Sequence, residues 1–403
     1  MIEDAEVFGK SPGHLFRIII WMVKHMKVVI AIDSFKGSLS SMEAGRAAAE
    51  GVRRAVDANI VIRPLADGGE GTTEALISGL GGTYQKVEVT GPLGEKVMAR
   101  YGILADGKTA VMEMAEAAGI TLVDRSQLNP WKATTYGVGE MILDGIHRGC
   151  REFIMGIGGS ATSDGGVGML QALGYHFYNQ EGRPIGPGLG ELDQIAEIRG
   201  KDVEPLLKEC HFQIACDVKN PLCGENGAVY IFGPQKGVKE EEKEILDRKM
   251  AVYADKTAEF TGKDRRKEEG AGAAGGLGFA FLSYFPHVEL QPGISIVLKA
   301  VGLEQELMDA DVVITGEGCL DEQTAMGKLP VGVAHLAKKY HAMVLAFAGS
   351  IKDGGEICNK EGIDAVFPIV RGITSLEEAM KPETAKKNMT LTVEQVFRLI
   401  SCR

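Results

Sequence analysis

Val28-Val29-Ile30-Ala31-Ile32-Asp33 is a continuous apolar run that stops at an acid. Such a run suits a strand buried on both faces of a parallel sheet; a half-exposed strand would alternate. Working outward, Ser40-x-x-Glu43 reads as a capping box that opens a helix. Ala48, Val52, Ala55 and Val56 keep helical spacing behind it. A second strand, 59–65, runs into Ala66-Asp67-Gly68-Gly69-Glu70-Gly71, and residues 72–80 form a second helix. The same pattern returns near the other end. Asp311-Val312-Val313-Ile314 ends at Thr315-Gly316-Glu317-Gly318, 343–348 ends at Gly349-Ser350, and 365–370 is a last strand.

Between these stretches the pattern changes. Residues 86–90, 95–104 and 109–114 are short strands separated by Gly-Pro-Leu-Gly and Asp-Gly turns, which predicts antiparallel hairpins. Strands and helices then mix to about residue 290. The expectation is an α/β protein of two domains. Residues 26–70 and 290–403 supply a flavodoxin-like or Rossmann-like parallel sheet, interrupted by an inserted α+β domain at 71–289. Residues 1–25 read as an extension outside the fold. The apolar part, 15–23, contains Arg17 and is too short to span a bilayer. It also lacks a clear basic region and a small-residue cleavage site. An over-long gene start is the first reading of it, an interfacial anchor helix the second.

Composition narrows the function. Lys+Arg number 44 against 55 Asp+Glu, a net charge of −11, which argues against a nucleic-acid or anionic-membrane binder. Of 403 residues, 53 are glycine, nearly twice the usual share of about 7%. Glycine is needed where backbone must approach a ligand or take a positive φ, so the excess points to ligand loops. The seven cysteines are odd in number and no two have C-x-x-C spacing. With His sparse, a disulfide framework or structural zinc is disfavoured and a reducing cytoplasm fits best.

Ligands of open α/β sheets bind beyond the carboxyl ends of the strands. Three strands deliver acidic or glycine-rich residues there: Asp33, Asp67 to Glu70, and Gly316-Glu317-Gly318. A further loop, Gly156-Ile157-Gly158-Gly159-Ser160-Ala161-Thr162-Ser163-Asp164-Gly165-Gly166, sits between an apolar strand and a helical run. That context makes an anion site from backbone N–H groups. Its G-x-G-x-x-A match to the dinucleotide fingerprint lacks an acid ending the next strand, since Glu181 falls in a polar turn. Residues 270–278 match G-x-G-x-x-G but follow a charged run, so they read either as a phosphate cradle or as tight packing. Asp217 ends another apolar strand and reads as a base, a magnesium ligand or a turn residue. Walker, protein-kinase and G-x-S-x-G signatures are missing. Glycine loops, several carboxylates, and Lys36 and Lys328 together make up the set that phosphoryl transfer needs.

These residues resemble the type I glycerate kinases from Met26 to about residue 395. The resemblance rests on Asp33-Ser34-Phe35-Lys36, Ala66 to Gly71, the 156–166 loop, Ala215-Cys216-Asp217-Val218, Ile231-Phe232-Gly233-Pro234-Gln235-Lys236-Gly237, Gly270 to Gly278, and Ile314 to Gly318 followed by Gly327-Lys328. It implies ATP-dependent phosphorylation of D-glycerate to 2- or 3-phosphoglycerate with magnesium, in a cleft between two α/β domains. Under that reading Asp33, Lys36, Asp67, Glu70 and Asp217 are catalytic. Gly158, Gly159, Ser160, Thr162, Gly272, Gly275 and Lys328 hold ATP, and Asp164, Glu317 and Asp321 face the metal. The partners are glycerate and ATP, without nucleic acid or membrane; the oligomeric state stays open, a homodimer included. Two positions depart from the family pattern. Ser163 stands where the family usually has Asn, and Cys319 where it has Arg after Gly-Glu-Gly. The rivals are an NAD-dependent oxidoreductase, suggested by the glycine fingerprints, and a non-catalytic solute-binding protein.

Overall fold

Val28, Val29 and Ile30 lose all solvent contact, as a run apolar on both faces requires. They form the first strand of a computed structural model that describes residues 26–325 and 327–402; the extension at 1–25 lies outside the described residues. In chain order the strands are β1 (Lys27–Ile30), β2 (Asn59–Ile62), β3 (Gly82–Thr90), β4 (Lys96–Leu104), β5 (Thr109–Glu113), β6 (Glu152–Gly156), β7 (His176–Tyr178), β8 (Glu197–Arg199), β9 (His211–Ala215), β10 (Val288–Gln291), β11 (Val312–Leu320), β12 (Met343–Ile351) and β13 (Ala365–Pro368). The chain divides into two compact units. One runs to Leu65 and resumes at Leu298; the other is Ala66–Val297.

In the first unit β1, β2, β11, β12 and β13 form one sheet in the order β13-β12-β11-β1-β2, and every pair is parallel. Counted within the unit this is 2-1-3-4-5, the flavodoxin-like order, with its switch point between β1 and β11. The capping box holds: Ser40 accepts from the Glu43 N–H while Glu43 accepts from the Ser40 N–H, opening helix Ser41–Ala55. That helix packs against helix Pro382–Ser401, where the Thr390 hydroxyl donates to the Ala47 carbonyl at 2.9 Å. Ile30, Ile314, Phe347, Met389 and Phe397 are among the fully buried side chains of this core.

Two strands run further than their sequence suggests. Gly316-Glu317-Gly318 reads as a loop because glycine is depleted in strands, yet β11 continues through it to Leu320. Likewise β12 passes through Gly349-Ser350. The reason is mutual pairing. β11 keeps its register with β12 out to Leu320 opposite Ile351, long after β1 has stopped at Ile30 opposite Ile314. Glu317 and Cys319 therefore stand on one face of a strand, two residues apart.

The second unit carries the order β10-β9-β6-β5-β4-β3. The expected hairpins are present, with β3 antiparallel to β4 and β4 to β5. Beyond them, β5, β6, β9 and β10 are parallel. This part is a parallel-dominated α/β sheet, not the α+β arrangement expected there. Helical connections such as Tyr136–His147, between β5 and β6, supply the long crossovers that parallel pairing demands. Stacked Phe153 and Phe212 centre its core.

Candidate active site

The second unit encloses a cavity of about 380 Å³ at the carboxyl ends of β6 and β9. Its walls include Asp67, Gly68, Gly158, Gly159, Ser160, Asp217, Lys236 and Ala274. Asp67 precedes helix Thr72–Leu80 and accepts from the Gly69 N–H at 3.0 Å, a tight Asx turn. Asp217 follows β9 and accepts from the Gly293 N–H at 3.0 Å. These carboxyls are near enough to sense one another. Although Asp217 is exposed, the cavity walls remove enough water to raise its pKa, and the Asp67 charge raises it further against the Gly293 bond. A carboxylate held above its ordinary range is closer to the pKa a general base needs at neutral pH.

Gly68 shows why the Asp67 loop is glycine-rich. Its φ is +92°, and a Cβ there would come within 2.3 Å of the Gly293 backbone. The approach keeps Asp67 and Asp217 at the same rim. Behind the loop, Glu113 at the end of β5 accepts from the N–H groups of Gly71 and Thr73, capping helix Thr72–Leu80. Burial is the main influence raising the Glu113 pKa.

Gly158 and Gly159 are exposed and line the same cavity, and a Cβ on Gly158 would meet nothing within 4 Å. The loop is pinned where Ile120 donates to the Gly159 carbonyl and Ala161 to the Ala118 carbonyl. Below it sits Lys236, only 1% exposed, whose ammonium donates to Ser160 Oγ at 2.6 Å and to the Thr162 carbonyl at 2.7 Å. Burial pulls its pKa down to about 7, with the Asp164 carboxylate opposing. Asp164 is wholly buried and accepts from the Thr135 N–H and hydroxyl, the Gly166 N–H and the Gly168 N–H. Ala274, at φ +51°, adds a strained left-handed residue to the cavity wall.

In the first unit the acids form a separate cluster. The Asp33 N–H donates to the Gly316 carbonyl at 3.0 Å, joining the end of β1 to β11. Thr324 donates through its hydroxyl to Glu317 at 2.5 Å and through its N–H to Asp321 at 3.1 Å. Lys328 Nζ lies 3.6 Å from Asp321. The Lys36 backbone approaches Gly318.

Of the residues singled out in the sequence, Asp67, Gly158, Gly159, Ser160 and Asp217 therefore share one cavity. Asp33, Glu317, Asp321 and Lys328 gather around β11. Thr162 and Asp164 lie beneath the cavity floor, and Asp164 holds the loop in shape. Gly272 and Gly275 are packing positions, against the carbonyls of Pro221 and Thr162 respectively. Glu70 is exposed and does not line the cavity. Sequence reasoning passed over Lys236 and Glu113 as site residues. Glu113 carries the signal that marked Asp33, an acid ending an apolar strand. Lys236 shows only as a lysine inside a Gly-Pro-Gln-Lys-Gly turn.

Cys319 is part-buried, with its thiol against the Leu320 carbonyl at 3.9 Å, and shares the Glu317 face. Cysteine is a weak donor without fixed charge, while arginine forks onto carboxylate or phosphate. Cys319→Arg is expected to raise kcat/KM about tenfold, roughly 1.4 kcal/mol of transition-state stabilisation. Steady-state kinetics with matched melting curves checks this; unchanged efficiency with unaltered melting would place Cys319 off the phosphate path.

Two carboxylates and a glycine loop lining one cavity in the second unit, and an acidic cluster carrying Lys328 in the first, are residue types that phosphoryl transfer uses. Comparison with known proteins agrees. The model of the glycerate kinase family matches residues 28–401. A glycerate kinase of Haemophilus influenzae is 46% identical over 93% of this chain and 99% of its own. The glycerate 2-kinase of Escherichia coli K12 is 47% identical over 88% of this chain and 93% of its own. The crystal structure of a candidate glycerate kinase 2 from Salmonella typhimurium LT2 is 43% identical, superposes with a TM-score of 0.86, and covers 94% of this chain and 99% of its own. The chain belongs to the glycerate kinase family, and it is a phosphotransferase acting on an alcohol group.

Proposed function

We propose that this enzyme transfers the γ-phosphoryl group of ATP to a hydroxyl of D-glycerate, yielding 2- or 3-phosphoglycerate. The observation that carries the reading is the cavity lined by Asp67, Asp217 and the Gly158-Gly159-Ser160 backbone, in a chain of this family. The hydroxyl to be phosphorylated must lose a proton as it attacks. Asp217, with its raised pKa, or Asp67 accepts it. The open N–H groups of Gly158 and Gly159 take an anionic oxygen, as backbone loops at strand ends do. Glu317 and Asp321 serve as further metal or substrate contacts, and Lys36 and Lys328 offset phosphate charge.

Among the described residues no three His, Cys, Asp or Glu side chains gather as a metal cage. Magnesium does not need one, since it commonly rests on one or two carboxylates plus water and substrate phosphate. Asp67 and Asp217 fit that demand, and bound magnesium would neutralise charge on the phosphates. The proposed setting is the cytoplasm, where the seven free thiols stay reduced. No helix among the described residues is long and apolar enough to cross a membrane.

Incubation with ATP, magnesium and D-glycerate, followed by phosphorus NMR, tests the reading. Glycerate-dependent ADP formation with one phosphoglycerate isomer is expected, and the coupling pattern assigns the hydroxyl. ATP turnover indifferent to glycerate would overturn it.

A further inference from the structure

Lys236 has a costly position. Its ammonium is buried, yet its hydrogen bonds reach only a hydroxyl and a carbonyl of the loop that walls the cavity. Replacing a whole buried ion pair by apolar side chains is often neutral or stabilising, whereas removing one partner is costly; beside the buried Asp164 carboxylate, Lys236 therefore has a structural role as well as its place in the cavity wall. The neighbouring buried acid does not need it as a hydrogen-bond partner, because four donors already hold Asp164. What the ammonium does touch is informative. Ser160 and Thr162 follow directly on the open Gly158-Gly159 pair, and Lys236 itself is part of the cavity wall. Lys236 arrives from a short 3-10 turn, Pro234–Lys236, far along the chain, so the loop is fastened to a separate element.

We propose that Lys236 is a positioning residue that fixes the Gly158-Gly159-Ser160 backbone from beneath and lends its charge to a site for an anionic oxygen, a carboxylate or phosphate, in this cavity. Two features make the arrangement work together. Gly158 and Gly159 have no side chains to order them, so their N–H groups point usefully only if the next residues are held. When protonated, the Lys236 amine under the loop adds a positive charge in a buried wall, where an anion feels it more strongly than in water, and a bound anion would in turn favour the protonated form. The neutral donors and the cation thus favour the same ligand class, while Asp67 and Asp217 in the same cavity would repel an anion without them. The assignment to glycerate rests on the proposed function; the assignment to an anion does not.

The test compares wild type, Lys236→Met, which is unbranched, one atom shorter and uncharged, and Lys236→Arg. Three measurements are made on each full chain. These are the melting temperature alone, its shift with inorganic phosphate and with glycerate, and steady-state kinetics with glycerate varied at saturating ATP and magnesium. Lys236→Met is expected to fold with a lowered melting temperature, because Asp164, Ser160 and Thr162 lose a buried partner, to lose the ligand-induced shifts, and to show a glycerate KM at least about tenfold higher and kcat/KM about 10²-fold lower, the range for a displaced binding wall. Lys236→Arg should recover part of the KM. Wild-type KM and wild-type ligand shifts in the Met variant would overturn the proposal. So would a fall in melting temperature and kcat with KM unchanged, because that marks a purely structural pin. If Lys236→Met does not fold, Lys236→Gln, which keeps a donor for Ser160, is read by the same criteria. A wild type that binds phosphate but does not turn over glycerate would sink the proposed function alone, with the phosphate shift still deciding the role of Lys236.

Discussion

Asp217→Asn and Asp67→Asn should each leave the fold intact, and the one at the general base should cut kcat by about 10²-fold or more. The change is nearly isosteric. Each Asn keeps a side-chain oxygen for its loop bond, to the Gly293 N–H at position 217 and to the Gly69 N–H at position 67. What is lost is the charge that accepts a proton or holds magnesium. The two roles separate by pH. In wild type, kcat/KM should fall on the acid side as the base becomes protonated. Burial raises the Asp217 pKa, so if Asp217 is the base that limb lies above the ordinary carboxylate range. Asp217→Asn should then flatten the limb, while Asp67→Asn should keep it but move it to lower pH, because the Asp67 charge helps to raise the Asp217 pKa, and should weaken the response to magnesium. Normal turnover in both variants would reduce these acids to turn residues.

Gly275→Ala is expected to cost about 3 kcal/mol or more, combining left-handed backbone strain with overpacking. Gly275 has φ +70°, and a Cβ there would stand 2.2 Å from the Thr162 carbonyl and 2.6 Å from Ser163 Cα. Neither is a flexible side-chain end that can swing aside. The Thr162 carbonyl also accepts from Lys236, so displacing it should loosen the cavity wall and lower activity beyond what the fraction unfolded explains. Denaturant titration with parallel kinetics checks both parts. A melting temperature within about a degree of wild type would show that the 270–278 loop can move away from the 156–166 loop, making the observed contact incidental.

Much of the sheet was legible in the chain. Apolar runs at β1, β6, β9, β11 and β12 identify strands, and at β1, β11 and β12 they call for parallel pairing; the parallel pairing of β6 and β9 was not expected in the middle of the chain. The Ser40–Glu43 box opens its helix where the spacing predicts. Strand ends were less legible. β2 stops at Ile62, before Arg63 and Pro64, although the expected strand goes on to Leu65, while β11 passes through glycines that read as a loop. Strand length is set by how far a neighbour continues to offer hydrogen bonds, and β12 offers them to β11 as far as Leu320.

The site divides in the same way. By itself the sequence determined the chemical inventory: acids after apolar strands, glycine loops before helices, and lysines in the same loops. Local rules suffice there, because a strand end exposes whatever side chain follows it and a glycine permits its own backbone angles. Only the tertiary structure decided which members meet. Asp67 and Asp217 share a rim because Gly68 and Gly293 touch. Gly272 and Gly275 are held to glycine because other backbone already fills the space a side chain would need. Lys236 became part of the wall because its turn folds under Ser160, 76 residues away in sequence. No local pattern encodes such a contact, since the partners that offset the cost of burying the charge are brought within reach only by the folded chain.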